Sequence, residues 1–214
     1  MANPLAPRAS SELNIMNAQA ANTGVFTTTH ASNLINDTAH GLSDGDCVTV
    51  ASGTTLPSGL SASTYYYVIN KTTDTFQLSL TPGGSAVALS DDGTGTHTWY
   101  EEVIGDVLDV SDYRHIGVSI DAMTSPDVTL KCVGSIMDAL PSFLNPQSAS
   151  NRYDFIQSVD HEDASTYDGD TGTAIAAEDH RQLVINVDGL SFISFKTFLF
   201  KAGTITIKVK GFRN

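Results

Sequence analysis

Turn-forming letters interrupt this chain every few residues, and that spacing restricts it to short strands. From about Val25 to Tyr100 the runs "GVFTTT", "DCVTVAS", "TYYYVIN", "DTFQLSL" and "GTHTWYE" are separated by "HGLSDG", "TTLPSGLS", "NKTTD" and "TPGGS". The runs are rich in β-branched and aromatic side chains, which pack well on a pleated surface. The separators supply Gly, Pro, Asn, Asp and Ser, the residues that tolerate tight-turn backbones. Strands this short and this regular predict a small barrel or compact antiparallel sheet. In "TYYYVINKTTDTFQLSL" the turn "NKTTD" joins two alternating strands, the clearest hairpin in the chain. Trp99, the single tryptophan, is expected to plug the core of this block.

The pattern changes register at "EEVIGDVLDVSDY" (101–113), where a domain boundary is placed. A second β unit follows, with "HIGVSID", "DVTLKCVGS", "RYDFIQSVD", "RQLVINV", "SFISFKTFLF" and "GTITIKVKGF" as six separate strands. In the last, Ile205, Ile207 and Val209 face one way while Thr204, Thr206, Lys208 and Lys210 face the other. Val128, Leu130 and Cys132 alternate likewise with Thr129 and Lys131. "MDALPSFLNPQSASN" between strands reads as a long loop, with a helical turn at "SIMDAL". The fold class expected is all-β. A small β-barrel or antiparallel sheet domain (25–100) precedes a jelly-roll-like β-sandwich (101–214). Residues 1–24 hold two prolines and few apolar positions, and read as an N-terminal arm lying on a neighbour, with a short helix over "SELNIMNAQAA".

Charge narrows the partners. Eleven Lys and Arg against 24 Asp and Glu leave a net charge of −13. No basic cluster is present to contact phosphate, so nucleic acid is excluded as a partner. No apolar stretch reaches the roughly 18 residues of a membrane span, and no membrane partner is expected. The first residues, "MANPLAPRAS", carry no apolar core of a secretory signal, which points to synthesis in a reducing cytoplasm.

Two stretches carry residues suited to chemistry. "TAHGLSDGDCVTV" (38–50) packs His40, Asp44, Asp46 and Cys47 together. They straddle a loop whose Gly41 and Gly45 suit tight turns, so the stretch reads as a turn with aspartates capping amides rather than a zinc site. "DHEDASTYDGDTG" (160–172) supplies Asp160, Glu162, Asp163, Asp168 and Asp170, a calcium candidate without EF-hand spacing; a solvated loop is the competing reading. Cys47 and Cys132 read as buried free thiols. There is no G-x-S-x-G elbow, no HExxH, no Walker loop and no GxGxxG. No enzymatic activity, no catalytic residue, no cofactor and no dedicated metal site is expected. Tyr65, Tyr66 and Tyr67 alternate faces, leaving at least one as a possible exposed stacking platform.

The stretch "HGLSDGDCVTVASGTTLPSGLSASTYYYVINKTTDTFQLSLTPGGSAVALSDDGTGTHTW", residues 40–99, resembles a small β-domain that recurs in structural proteins of tailed bacteriophages. The matching letters are the "HGL..GD.V" opening, the "LP.GLS..T.YYVIN" centre, "TFQLS.TPGG" and the closing "GTGTHTW". "DVSDYRHIGVSID", "YDFIQSVDHEDASTYDGDTG" and "DHRQLVINVDGLSFISFKTFLFKAGTITIKVKGF" likewise resemble a C-terminal β-sandwich found among phage virion proteins. Cys47 stands where related sequences have a polar or charged residue, which argues against a functional role there. The resemblance implies a non-enzymatic virion component that carries no catalytic residues to transfer. It is expected to be a capsid decoration or cement protein on the outer head surface, bridging and stabilising capsid subunits. The alternative it implies is a tail, neck or fibre-associated protein contacting an adjacent ring or a host glycan. Expected partners are the major capsid protein or other virion proteins and further copies of the chain itself, with a trimer favoured. The expected location is the virion, at the outer capsid surface or tail.

Overall fold

The computed structural model describes residues 12–62, 64–176 and 180–212, and the side chains of all of these except 122–126. The chain is all-β, with one single-turn 3-10 segment at His30–Ser32 among the described residues. Its strands are β1 (Leu13–Ala20), β2 (Thr23–Thr29), β3 (Leu34–Asn36), β4 (Cys47–Ser52), β5 (Tyr66–Ile69), β6 (Thr75–Ser79), β7 (His97–Glu102), β8 (Leu108–Asp109), β9 (His115–Ser135), β10 (Asp154–Phe155), β11 (Ser158–Asp160), β12 (Thr166–Tyr167), β13 (Thr173–Ala176), β14 (His180–Asn186) and β15 (Phe192–Phe212). They fall into two compact units. One comprises 1–20, 104–198 and 202–214; the other comprises 21–103 together with Leu199–Lys201.

The second of these units is a closed barrel in the order β2-β3-β6-β5-β4-β7. Closure removes free sheet edges, which is how strands of three to seven residues become stable together. The expected hairpin is β5–β6, with Tyr67 opposite Ser79, Val68 opposite Leu78 and Ile69 opposite Gln77. Phe26, Ile35, Val48, Val50, Tyr66, Val68, Phe76, Leu78 and Trp99 fill the interior. The Trp99 indole meets Phe76 edge-on at 6.5 Å, and its Nε1–H donates to Asp37 Oδ2 at 2.7 Å. Gly24 lies directly over this indole: a Cβ there would sit 2.7 Å from two of its ring atoms. The other face of β4 and β5 is buried as well, at Cys47, Thr49 and Tyr67. On that face the buried Glu102 carboxylate accepts hydrogen bonds from the Thr49 hydroxyl and, at 2.6 Å, from the Leu199 amide.

The other unit is a curled antiparallel sheet in the order β1-β15-β9-β14-β11-β12, with β10 and β13 also on β9 and β8 on β15. Its six expected strands are redistributed. "HIGVSID" and "DVTLKCVGS" belong to the one 21-residue strand β9, and "SFISFKTFLF" and "GTITIKVKGF" to the one 21-residue strand β15. The apparent turn in β15 is a bulge: Leu199 takes φ 52° and Gly203 φ 79°, and pairing with β9 shifts register there and resumes. The inward alternation holds at Val128, Leu130 and Cys132 and at Ile205, Ile207 and Val209. Thr206, expected outward, is buried, because its hydroxyl accepts the Ala18 amide of β1 at 2.9 Å.

Two local expectations are corrected. "SELNIMNAQAA" is no helix where it is described; Leu13–Ala20 pairs with β15, with Leu13 opposite Val209 and Ala20 opposite Thr204. An unsatisfied edge on β15 outcompetes a weak local helix signal. The remainder of the expected arm, 1–11, lies outside the described residues. "SIMDAL" forms no helical turn; it leaves β9 through bends.

Candidate functional site

The polar letters of 38–50 hold turns. Gly41 (φ 73°) and Gly45 (φ 99°) take backbone angles that L side chains rarely adopt. His40 is buried against the Phe76 ring at 4.9 Å. Its Nδ1 accepts the Leu42 amide at 3.1 Å, which fixes the tautomer, so Nε2–H donates to the Thr72 carbonyl at 3.0 Å. Asp46 Oδ2 accepts the Ser43 amide at 2.6 Å, and Asp44 Oδ1 reaches across to the Lys71 amide at 2.9 Å. The four candidate residues therefore point to four different places: His40 inward, Asp44 to the β5–β6 turn, Asp46 to its own loop, and Cys47 into a buried strand face. His97 is used in the same manner. Its Nε2–H donates to the Asp92 carbonyl at 3.1 Å, and its Nδ1 lies 3.0 Å from the Ser52 hydroxyl oxygen.

The acidic stretch behaves alike. Asp160 Oδ1 accepts the Glu162 amide at 2.9 Å, Asp163 Oδ1 the Ser165 amide at 2.8 Å, and Asp168 Oδ1 the Asp170 amide at 3.1 Å. The Ser165 amide and hydroxyl hold the Asp163 carboxyl below its ordinary range. Asp160 Oδ2 faces Arg181 Nη1 at 3.6 Å and accepts the Tyr167 hydroxyl at 3.3 Å, while Arg181 also donates to that hydroxyl. No three His, Cys, Asp or Glu side chains among the described residues converge as a metal ion requires. Of Asp160, Glu162, Asp163, Asp168 and Asp170, three (Asp160, Asp163 and Asp168) turn an oxygen to a backbone amide, and Asp170 Oδ1 accepts the Thr171 hydroxyl at 3.5 Å.

Neither Cys47 nor Cys132 is in a disulfide and both are buried, and burial pushes the Cys132 thiol far above its usual range. Tyr66 and Tyr67 are both buried, so neither is an exposed platform; the Tyr66 hydroxyl accepts the Ser61 amide at 2.8 Å inside the barrel unit.

The feature that sequence reasoning passed over is the loop 136–153, read only as a connection. It is tightly organised. Asn151 grips Ser142 from both ends, its Oδ1 accepting that amide at 2.8 Å and its Nδ2–H donating to the carbonyl at 2.9 Å. The Tyr153 hydroxyl donates to the Asn145 carbonyl at 2.9 Å. Phe143 is buried edge-on to Tyr153 at 5.4 Å. Lys196, only 2% exposed, donates to the Phe143 carbonyl at 3.2 Å. Yet the loop leaves Ile136 71% and Leu140 64% exposed. Beside Ile136 lies a cleft of about 240 Å³, lined by Gly134, Ile136, Arg152, Tyr153, Ile156 and Leu190 among others. The sequence signal was two large aliphatic residues in a loop with neither strand nor helix period.

No known family model matches the chain, and no curated protein is similar to it in sequence. Two solved structures are similar in part. The SPBc2 prophage-derived protein YomS superposes at a TM-score of 0.38 with 14% identity, over 52% of this chain and 81% of that one. The PBSX exported protein XepA superposes at 0.36 with 10% identity, over 96% of this chain and 81% of that one. Both are phage-derived proteins. No helix among the described residues is long and apolar enough to cross a membrane.

Proposed function

We propose that the chain is a non-enzymatic structural component of a bacteriophage virion, a capsid decoration or cement protein on the outer head surface that bridges and stabilises capsid subunits. The observation that supports this reading is how residues 40–99 use their polar side chains. The stretch that resembles the phage β-domain supplies β4, β5, β6 and the start of β7 to a closed barrel, and in it His40, Asp44, Asp46 and His97 each brace backbone. Side chains committed in this way favour a rigid module over a reaction centre. A net charge of −13 suits the outside of a DNA-filled shell better than its inside. The partners in this reading are the major capsid protein and further copies of the chain, in a trimer.

Copy number per virion tests the proposal. Quantitative gel densitometry should give hundreds of copies, and heads lacking the protein should be empty or heat-labile. A handful of copies with normal heads moves the protein to the tail, neck or fibre. Absence from purified virions overturns the reading altogether.

A further inference from the structure

We infer that a cleft over β14, β9 and β15 is a binding site for a sugar ring that carries one carboxylate, a saccharide of the uronic-acid class. This goes beyond the virion reading and does not depend on it. Strand register builds the cleft. Ser119 of β9 stands opposite Lys208 of β15 on one side and Gln182 of β14 on the other, and the His161 amide donates to the Gln182 carbonyl. Side chains two residues apart along a strand share a face, so Gly117 and Lys210 form the next row. His161, Gln182, Ser119, Lys208 and Lys210 line a space of about 220 Å³, room for one sugar ring. The Phe212 ring lies across Gly117, where a Cβ would come within 3.1 Å of it, and it remains 40% exposed.

Two features select the occupant. A sugar ring presents a face of C–H groups and an edge of hydroxyls, so it needs a flat apolar wall beside groups that donate and accept. Phe212 is that wall. Ser119, His161 and Gln182 are the polar groups, and among the described residues none of their side chains is committed to another partner. In 38–50 and 160–172, by contrast, His40, Asp46, Asp160 and Asp163 are spent on backbone amides. Charge is the second feature. Lys208 and Lys210 face one acid of the cleft, Glu12, which lies 3.5 Å from Lys208 Nζ. Asp121, the next residue along this face of β9, is met by His180 at 3.2 Å. One positive charge is thus left over in the cleft, on a chain whose total is −13. It matches the single negative charge of a carboxylate better than the nearly double charge of a phosphate monoester.

Titration of the full chain with sodium glucuronate, followed in amide NMR spectra, tests the site. Glucose and sodium acetate serve as the uncharged and the ringless controls. Glucuronate should shift the Gly117, Ser119 and Gln182 amide signals and saturate with a Kd of about 1 mM. Each control should bind at least about tenfold more weakly, a comparison that needs no variant. Lys210→Glu should weaken glucuronate at least about tenfold and Gln182→Ala about threefold. Both should keep the wild-type melting curve, since both side chains are exposed, and Lys210→Arg should retain binding. Acetate binding as tightly as glucuronate overturns the saccharide, and glucose binding as tightly overturns the part given to charge. Wild-type protein that never saturates, shifts confined to other residues, or undiminished affinity in Lys210→Glu overturns the site.

Discussion

At the scale of single residues, the barrel interior leaves little slack around Trp99. Adding one methyl at Gly24 places a carbon 2.7 Å from the indole and 2.2 Å from Asp37 Oδ2, the group that receives the indole N–H. Gly24→Ala should therefore cost about 1–3 kcal/mol of stability by chemical denaturation, as overpacked cores do. The sign of pH effects is also set residue by residue. The His30 side chain and amide hold the Asp92 carboxyl below its ordinary range, and the Ser58 and Gly93 amides do the same for Asp91. A carboxyl depressed on folding contributes stability that is fully present above its unfolded value. That contribution is lost as pH falls through the lower folded value. Glu101 runs the other way: burial raises it, so its penalty is relieved on acidification through the raised value. Thermal midpoints should consequently drop below about pH 4, and the Asp91→Asn, Asp92→Asn double variant should show a shallower drop than wild type. Equal slopes would show that these hydrogen bonds persist in the unfolded chain. Cys47 and Cys132 should both resist a thiol reagent until the protein is denatured, since neither reaches solvent.

Among the elements, the turn between β3 and β4 and the β5–β6 hairpin brace each other through His40, Asp44 and the Gly45 amide, which donates to the Val68 carbonyl at 2.8 Å. Nothing crowds a Cβ at Gly45, so Gly45→Ala isolates the backbone cost of φ 99°. A loss of about 1–2 kcal/mol is expected by denaturant unfolding. A neutral result would mean the turn relaxes to another geometry. The hairpin was legible because alternation and turn chemistry are both local properties of "TYYYVINKTTDTFQLSL". The nature of β1 was not. "LNIMNAQA" has no strong preference of its own, and it becomes a strand because β15 presents an edge almost two hundred residues away. The length of β9 and β15 was hidden for a related reason. A bulge and a hairpin turn are both written with glycine and positive φ, and only cross-strand register tells them apart.

For the whole molecule, charge is the property with the widest reach. Residues 21–103 hold eight acids and one base, Lys71. Duplex DNA should show no mobility shift with the protein even at about 50 mM salt, where phosphate contacts are strongest. A shift that weakens steeply with salt would contradict the exterior location proposed for it. Of the two places where sequence alone suggested chemistry, neither gathers its residues. In 38–50 the reading of aspartates capping amides matches Asp44 and Asp46, whereas in 160–172 the choice between a calcium site and a loop was open until Asp160, Asp163 and Asp168 were seen turned to the Glu162, Ser165 and Asp170 amides.

By itself the sequence determined the all-β class, the hairpin, the buried tryptophan and the acidic surface, all consequences of short-range pattern and composition. Tertiary structure alone decided the closure of the barrel, the continuity of the two long strands and the recruitment of β1. It also turned an unremarkable loop into an ordered apolar face. That difference has one physical cause. Strand pairing and burial depend on partners far apart along the chain, such as Lys196 holding Phe143 or Leu199 meeting Glu102, and no local window of sequence contains both members of such a pair.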